Sequence, residues 1–239
     1  MGGPPRVGLL YPTRDSGEDD FVDLARRFEP ALDLAVVYIP WPGDVDDLAT
    51  LTVEQVMDAL RRLGSAAHLE RVVPDALAGR HVDAVAFAVT SSSFLDGPGG
   101  VDEQLRTLRR VTGRPATSTT AAFQQAISDR NLRRVSLASV YHPEVSDHFV
   151  ARVREAGAEV VARVDANAGS DRELAAWPPE RILDLVRRAA HPDAEAMLLP
   201  ETALHTSRLT EELDRAAGCP VLTATQVTLR AAADLTGPH

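Results

Sequence analysis

Short, unbroken apolar runs alternate with amphipathic segments along this chain, and that alternation limits the folds open to it. The runs are Arg6–Tyr11 (RVGLLY), Leu34–Ile39, Val82–Val89 (VDAVAFAV), Pro115–Thr117, Arg134–Val140 (RVSLASV), Glu159–Val164, Ala196–Leu199 (AMLL) and Pro220–Thr223. Runs this short, apolar on both faces, suit strands of a parallel sheet covered by helices. Between them, Thr52–Leu63 sets Val53, Val56, Leu60 and Leu63 in helical register. Further helices are expected over 21–28 (capped by Asp20), 69–77, 101–111, 117–129, 143–156, 179–190, 210–217 and 224–235, with a helix start also signalled at Thr206-Ser207. The stretch 165–179 reads as a loop.

The pattern occurs twice. His81-Val-Asp-Ala-Val-Ala matches His191-Pro-Asp-Ala-Glu-Ala, Arg6-Val-Gly-Leu-Leu parallels Arg134-Val-Ser-Leu-Ala, and Pro115-Ala-Thr-Ser-Thr parallels Pro220-Val-Leu-Thr-Ala-Thr. The three pairs keep the same order in each half. The expectation is two α/β lobes facing one cleft: residues 1–118, joined by the C-terminal helix 224–239, and residues 119–223.

Composition removes several chemistries. All 25 basic residues are arginine, so a lysine Schiff base, a pyridoxal phosphate aldimine and a P-loop lysine are excluded. Cys219 is the one cysteine, so no internal disulfide forms. The histidines are scattered without metal-ligand spacing. No G-x-S-x-G elbow occurs, and Gly97-Pro98-Gly99-Gly100 is not a dinucleotide-binding turn. A net charge of −10 argues against a nucleic-acid partner. No apolar stretch approaches a membrane span, and the run after the N-terminus is too short for a signal peptide, so a cytoplasmic location is expected. No metal or cofactor is expected, the expected partner is a small molecule, and self-association is left open.

Candidate chemistry lies where the strands end, because ligands of open α/β sheets bind outside the carboxyl ends of the strands. Glu201 follows Pro200 at the end of Ala196–Leu199, and Thr90 to Ser93 follow Val82–Val89. Hydroxyls beside backbone N–H groups at Thr90–Ser93 and Thr117–Thr120 suit an anion; ordinary N-capping explains Thr117–Thr120 equally, and Thr90–Ser93, a turn ahead of the expected helix, less well. Tyr141 offers a phenol, or an amphipathic ring at the core edge. Pro12 and Asp15 follow the first strand, His142 and His205 follow later ones, and for Asp15 and the two histidines a solvated role is the plainer reading. Cys219 precedes its strand, at the wrong end for such a site, and reads as packing.

FAVTSSSF (87–94), SVYHPEV (139–145), PETALHT (200–206) and PVLTATQVTLRAA (220–232) together resemble the aspartate/glutamate racemase superfamily, in the branch of maleate cis-trans isomerase and arylmalonate decarboxylase. The resemblance implies two Rossmann-like lobes related by a pseudo-twofold axis. It also implies cofactor-independent proton transfer on a small carboxylate, with one cysteine per lobe. Those cysteines would fall at Val89 and Glu201, and neither is cysteine here. The family's binding threonine and serine match Thr90 and Ser91, its tyrosine matches Tyr141, the residue after its second cysteine matches Thr202, and its early asparagine matches Asp15. Without either thiol the expected chemistry is one-sided, with Glu201 as a lone general acid/base facing an apolar wall at Val89. Lyase, decarboxylase, isomerase and cyclisation reactions fit. A protein that keeps the carboxylate pocket without catalysis, and a hydrolase in which Glu201 activates water, are the other readings.

Overall fold

The computed structural model describes residues 4–29, 31–43, 45 and 48–237. Positions 1–3, 238 and 239, included in the expected lobe limits, lie outside the described residues. The first half of the chain runs β1 (Arg6–Tyr11), α1 (Glu18–Ala25), β2 (Asp33–Tyr38), α2 (Val53–Gly64), α3 (Ala66–Leu77), β3 (Ala84–Phe87), α4 (Thr90–Phe94), α5 (Gly100–Thr112), β4 (Ala116–Ser118) and α6 (Thr119–Asp129). The second half runs β5 (Arg134–Ser139), α7 (Pro143–Glu155), β6 (Glu159–Asp165), α8 (Asp171–Ala175), α9 (Pro179–Ala189), β7 (Ala196–Leu199), α10 (Thr210–Ala217), β8 (Val221–Thr223) and α11 (Ala224–Asp234).

Each lobe holds a four-stranded parallel sheet. The orders are β2-β1-β3-β4 and β6-β5-β7-β8, the second repeating the first with every number raised by four. The internal sequence repeat therefore marks a repeat of topology. It extends to the caps: Ser118 Oγ accepts from Ala121 N at the β4–α6 junction, and Thr223 Oγ1 accepts from Gln226 N at the matching β8–α11 junction. Helix α11 returns to pack on α1, α6, β3 and β4.

The central strands β1, β3, β5 and β7 are buried almost throughout, as unbroken apolar runs require. One apolar core crosses from lobe to lobe. Phe94 on α4 and Phe123 on α6 both stand edge-on to Phe149 on α7, at 5.5 and 5.4 Å between ring centres. Such pairs add about 0.5–1.5 kcal/mol each beyond their burial.

Three expectations are corrected. Asp20 does not cap a helix at Phe21; α1 begins at Glu18, behind Gly17 in a left-handed conformation. The buried Asp20 carboxylate reaches the other lobe instead, accepting from Thr206 N and Ser207 N at 3.0 and 3.1 Å. Thr206-Ser207 is accordingly a turn held from across the cleft, and α10 starts only at Thr210. Finally, 165–179 is not all loop: Ser170 caps the one-turn helix α8, its Oγ accepting from Glu173 N at 3.2 Å.

The turn after Glu201 is gripped closely by the first lobe. A Cβ on Gly17 would stand 2.6 Å from the Ala203 carbonyl oxygen, so only glycine fits that approach. Removing the Asp20 carboxylate strands two buried N–H groups. Asp20→Ala should cost roughly 2–6 kcal/mol in urea unfolding, since each unpaired buried donor costs about 1–3 kcal/mol. A loss under about 0.5 kcal/mol, the size of an ordinary surface change, would show that water satisfies those amides.

Candidate active site

Glu201 stands just past the carboxyl end of β7 and is buried. Two things hold it there. Pro200 ends the strand, and Glu201 Oε1 accepts from Ala203 N at 2.7 Å, folding the carboxyl back over its own turn. Tyr141, two residues past β5, sends its phenol to the same place and donates to the Pro200 carbonyl at 2.6 Å. A phenol has one proton; Glu201 lies beside the same oxygen and, once ionised, is a second acceptor for that proton, which is how Tyr141 lowers the Glu201 pKa. Tyr141 is thus a tether of the Glu201 turn more than the free anion donor expected from the sequence.

Thr90 meets them from the first lobe. It opens the one-turn helix α4, which was not foreseen in the sequence and which follows the end of β3 after two residues. Ser93 Oγ donates to Gln104 Oε1, and Gln104 Nε2 donates to the Gly64 and Ser92 carbonyls, which pins α4 between α2 and α5. Thr90 Oγ1 is buried beside the Tyr141 phenol without a well-formed hydrogen bond. Phe94 packs edge-on against the Tyr141 ring at 5.6 Å. The ends of β3, β5 and β7 thus converge, and Val89 (the α4 cap) and Ser91 are buried at the same strand end. Thr202 lies next to Glu201, its carbonyl accepting from the Tyr11 phenol at 3.1 Å.

Two site residues were not foreseen. Tyr11, the last residue of β1, is buried and shares its proton between the Ser16 and Thr202 carbonyls. Asp171 opens α8, and its Oδ2 lies 3.5 Å from Thr13 Oγ1 of the other lobe. Asp171, Ser170 and Arg172 line a cavity of about 140 Å³ whose opposite wall is Pro12, Thr13 and Trp41. Ser170-x-x-Glu173 is a capping-box spacing and was the signal available for α8 in the sequence. Asp15 and His205 are not brought to this cavity. Both line a shallower one on the far side of Arg172, where His205 Nε2 pairs with Asp19 Oδ1 at 2.9 Å near the surface. Among the described residues, no group of three or more His, Cys, Asp or Glu is arranged to hold a metal ion.

Burial sets the electrostatics. It pushes the Glu201 carboxyl up from 4.5 to about 7, and the charge of Asp171 adds to the rise. The Ala203 N–H, the Tyr141 phenol and the Thr202 N–H pull the other way. Both phenols are held well above their usual value, first by burial and then by the charges of Glu201 and Asp171. Near neutrality the labile proton of this cluster is that of Glu201. That suits a general acid/base, whose pKa works best near the operating pH.

The family model described as arylmalonate decarboxylase matches residues 46–239. The chain belongs to that family. It is 28% identical over 155 residues to the arylmalonate decarboxylase of Bordetella bronchiseptica, covering 59% of each chain. The match therefore spans about three-fifths of that curated relative. A crystal structure of arylmalonate decarboxylase superposes with a TM-score of 0.71 at 22% identity, over 98% of this chain and 94% of that one. The maleate isomerase of Pseudomonas putida gives 0.78 at 18%, over 98% and 94%. The Nocardia farcinica maleate cis-trans isomerase, solved with a covalently bound succinylcysteine, gives 0.77 at 20%, over 98% and 94%. At these identities the structures establish the two-lobed fold. No helix among the described residues is long and apolar enough to cross a membrane.

The raised pKa has a stability consequence. Unfolded Glu201 ionises near 4.5 and folded Glu201 near 7, so the folded chain holds the proton more tightly. The stability this confers is complete below about 4.5 and is lost as pH rises through about 7. Glu201→Gln has no such proton. The stability of the wild type relative to this variant should fall by about 3 kcal/mol between pH 4 and 8, at ~1.4 kcal/mol per pKa unit. Parallel pH dependences in thermal melts would place the carboxyl in water.

Proposed function

We propose that this family member is a cofactor-independent enzyme in which Glu201 alone moves a proton to or from the carbon beside a carboxyl or carbonyl group of a small substrate. In the decarboxylating version, the bond from that carbon to the departing carboxylate breaks and CO2 leaves. The electron pair passes into an enolate, and protonated Glu201 delivers its proton to the carbon. In the isomerising version, ionised Glu201 takes the proton and returns it after the enolate has rearranged. The observation that carries the reading is the buried Glu201 carboxyl, with a pKa of about 7, at the carboxyl end of β7 beside Tyr141 and Thr90. The names of the family and of its relatives support a decarboxylase or isomerase. Glu201 stands where the resemblance puts a cysteine, and the opposing position is Val89, so catalysis by a pair of thiols does not fit.

The test monitors exchange of carbon-bound hydrogen in D2O by NMR over a panel of small keto, hydroxy and malonic acids. Glu201→Gln should lower the rate on any active compound by about 10²–10⁴-fold, the usual contribution of general acid/base catalysis. Full exchange by that variant would end the assignment.

The pH profile gives a second measurement. The wild-type kcat/KM should bend near pH 7, where Glu201 changes protonation. Tyr141→Phe removes an interaction that lowers the Glu201 pKa, so its bend should move to higher pH. An unmoved bend would show that another group titrates.

A further inference from the structure

Two phenols grip the turn that carries Glu201, one on each side of that residue. Tyr141 donates to the Pro200 carbonyl at 2.6 Å and lies beside the Glu201 carboxyl, on which it acts directly. Tyr11, from the other half of the chain, shares its proton between the Ser16 carbonyl at 2.7 Å and the Thr202 carbonyl at 3.1 Å. It reaches Glu201 through the backbone. The Thr202 carbonyl carbon is bonded to the nitrogen of Ala203, and Ala203 N is the group that donates to Glu201 Oε1 at 2.7 Å. In a trans peptide the C=O and the N–H point to opposite edges of one plane. Tyr11 therefore holds one edge of the Thr202–Ala203 peptide, and the other edge holds Glu201. A donor on the carbonyl also polarises the unit and strengthens its N–H.

Tyr11 is itself fixed in place. It is the last residue of β1 and is buried, with its ring edge-on to Phe21 at 6.1 Å. The Ser16 carbonyl that it also holds belongs to a loop pinned by the buried Glu18 carboxylate. That carboxylate accepts from Asp15 N, Ser16 N and the Tyr38 phenol at 2.8, 2.9 and 2.6 Å. Gly17, next in the loop, passes so close to Ala203 that no side chain fits between them. The first lobe thus meets the Thr202–Ala203 peptide at two points, the phenol on the Thr202 carbonyl and Gly17 against Ala203. The titratable neighbours of Glu201 are Asp171, Tyr141 and Tyr11, and the N–H groups of Ala203 and Thr202 favour its ionised form.

We propose that Tyr11 is a positioning residue for Glu201, acting from the first lobe through the Thr202–Ala203 peptide: it aims and strengthens the N–H that holds the carboxyl. Its effect on rate rests on the reading of Glu201 as the acid/base; its effect on the carboxyl does not. Because the Ala203 N–H favours the ionised carboxylate, a weaker N–H leaves the proton on Glu201 to higher pH.

Nuclear magnetic resonance reads both ends of this link. In the wild type the Ala203 amide proton and the carbon-13 labelled Glu201 carboxyl should titrate together, with a midpoint near 7. Tyr11→Phe keeps the ring on Phe21 and removes the donor. The Ala203 amide proton should then move upfield, as a weakened hydrogen bond does, and the common midpoint should rise. An unmoved midpoint would reduce Tyr11 to packing, and a fall toward 4.5 would make it a seal against water; either overturns the proposal. Meta-fluorotyrosine placed at position 11 alone keeps the ring and makes the phenol a stronger donor, so the midpoint should move downward. A midpoint equal to that of the wild type would overturn the proposal, whether or not Tyr11→Phe folds. On any compound whose carbon-bound hydrogen the wild type exchanges, Tyr11→Phe should lower kcat about ten- to a hundredfold, as displacing a reacting group by about 1 Å does, and leave KM unchanged. A loss confined to KM would put Tyr11 on the substrate and overturn the proposal. If Glu201→Gln keeps full exchange, the Glu201 reading fails, while the two titrations still decide what Tyr11 does to the carboxyl.

Discussion

The buried Asp20 carboxylate, accepting from the backbone of Thr206 and Ser207, is the contact on which the arrangement of the cleft depends. It comes from the first turn of α1 and ends on the segment that succeeds Glu201 in the other lobe. Around it lie the Tyr11 phenol on the Thr202 carbonyl, the Arg27 guanidinium on the Ser207 carbonyl and the close pass of Gly17 under Ala203. A turn at a strand end would ordinarily be exposed and mobile. Here the opposite lobe supplies partners for its backbone groups, so it can be buried at no cost in unpaired amides.

That burial is what raises the Glu201 pKa. A carboxyl in water ionises near 4.5 and is a poor proton donor at neutral pH. The same carboxyl sealed between two lobes keeps its proton to about 7. Asp171, carried in by a one-turn helix, pushes in the same direction. The Ala203 N–H limits the rise and fixes the carboxyl's orientation. The clamp between lobes therefore acts on chemistry through desolvation, and a residue such as Asp20 can matter to catalysis without touching a substrate.

The framework was readable from sequence because its signals are local. Ala196–Leu199 is a strand between a polar turn and Pro200, and the caps at Ser118 and Thr223 announce their helices. Glu201, Tyr141 and Thr90 were readable because strand ends collect chemistry in parallel sheets. What escaped was set by contacts distant in sequence. Nothing near Asp20 says that it will cap a turn 186 residues away. Nothing near Tyr11 says that it will reach Thr202. Asp15 and His205 sit at the right strand ends and yet line an exposed cavity beyond Arg172, where His205 pairs with Asp19. Asp171 was lost for a different reason: its helix is one turn long, too short to show periodicity, and only the Ser170–Glu173 spacing betrays it.

The position of Cys219 closes off the remaining route to a thiol. It precedes β8, while Glu201 comes after the parallel neighbour β7. Thr223 is level with Leu199 in that pairing, so Cys219 lies four residues, roughly 13 Å at ~3.3 Å per residue, back toward the amino ends of the strands. Its thiol is also held above its usual pKa, by burial first and by Asp214 second, and is no readier nucleophile for it. On the reading proposed above, an oxygen acid carries the proton. Of these, the phenols are held too high and their protons are given to carbonyls, which leaves the carboxyl groups. Of the carboxyl groups, Glu201 is the one that burial first, and the charge of Asp171 second, lift to about 7.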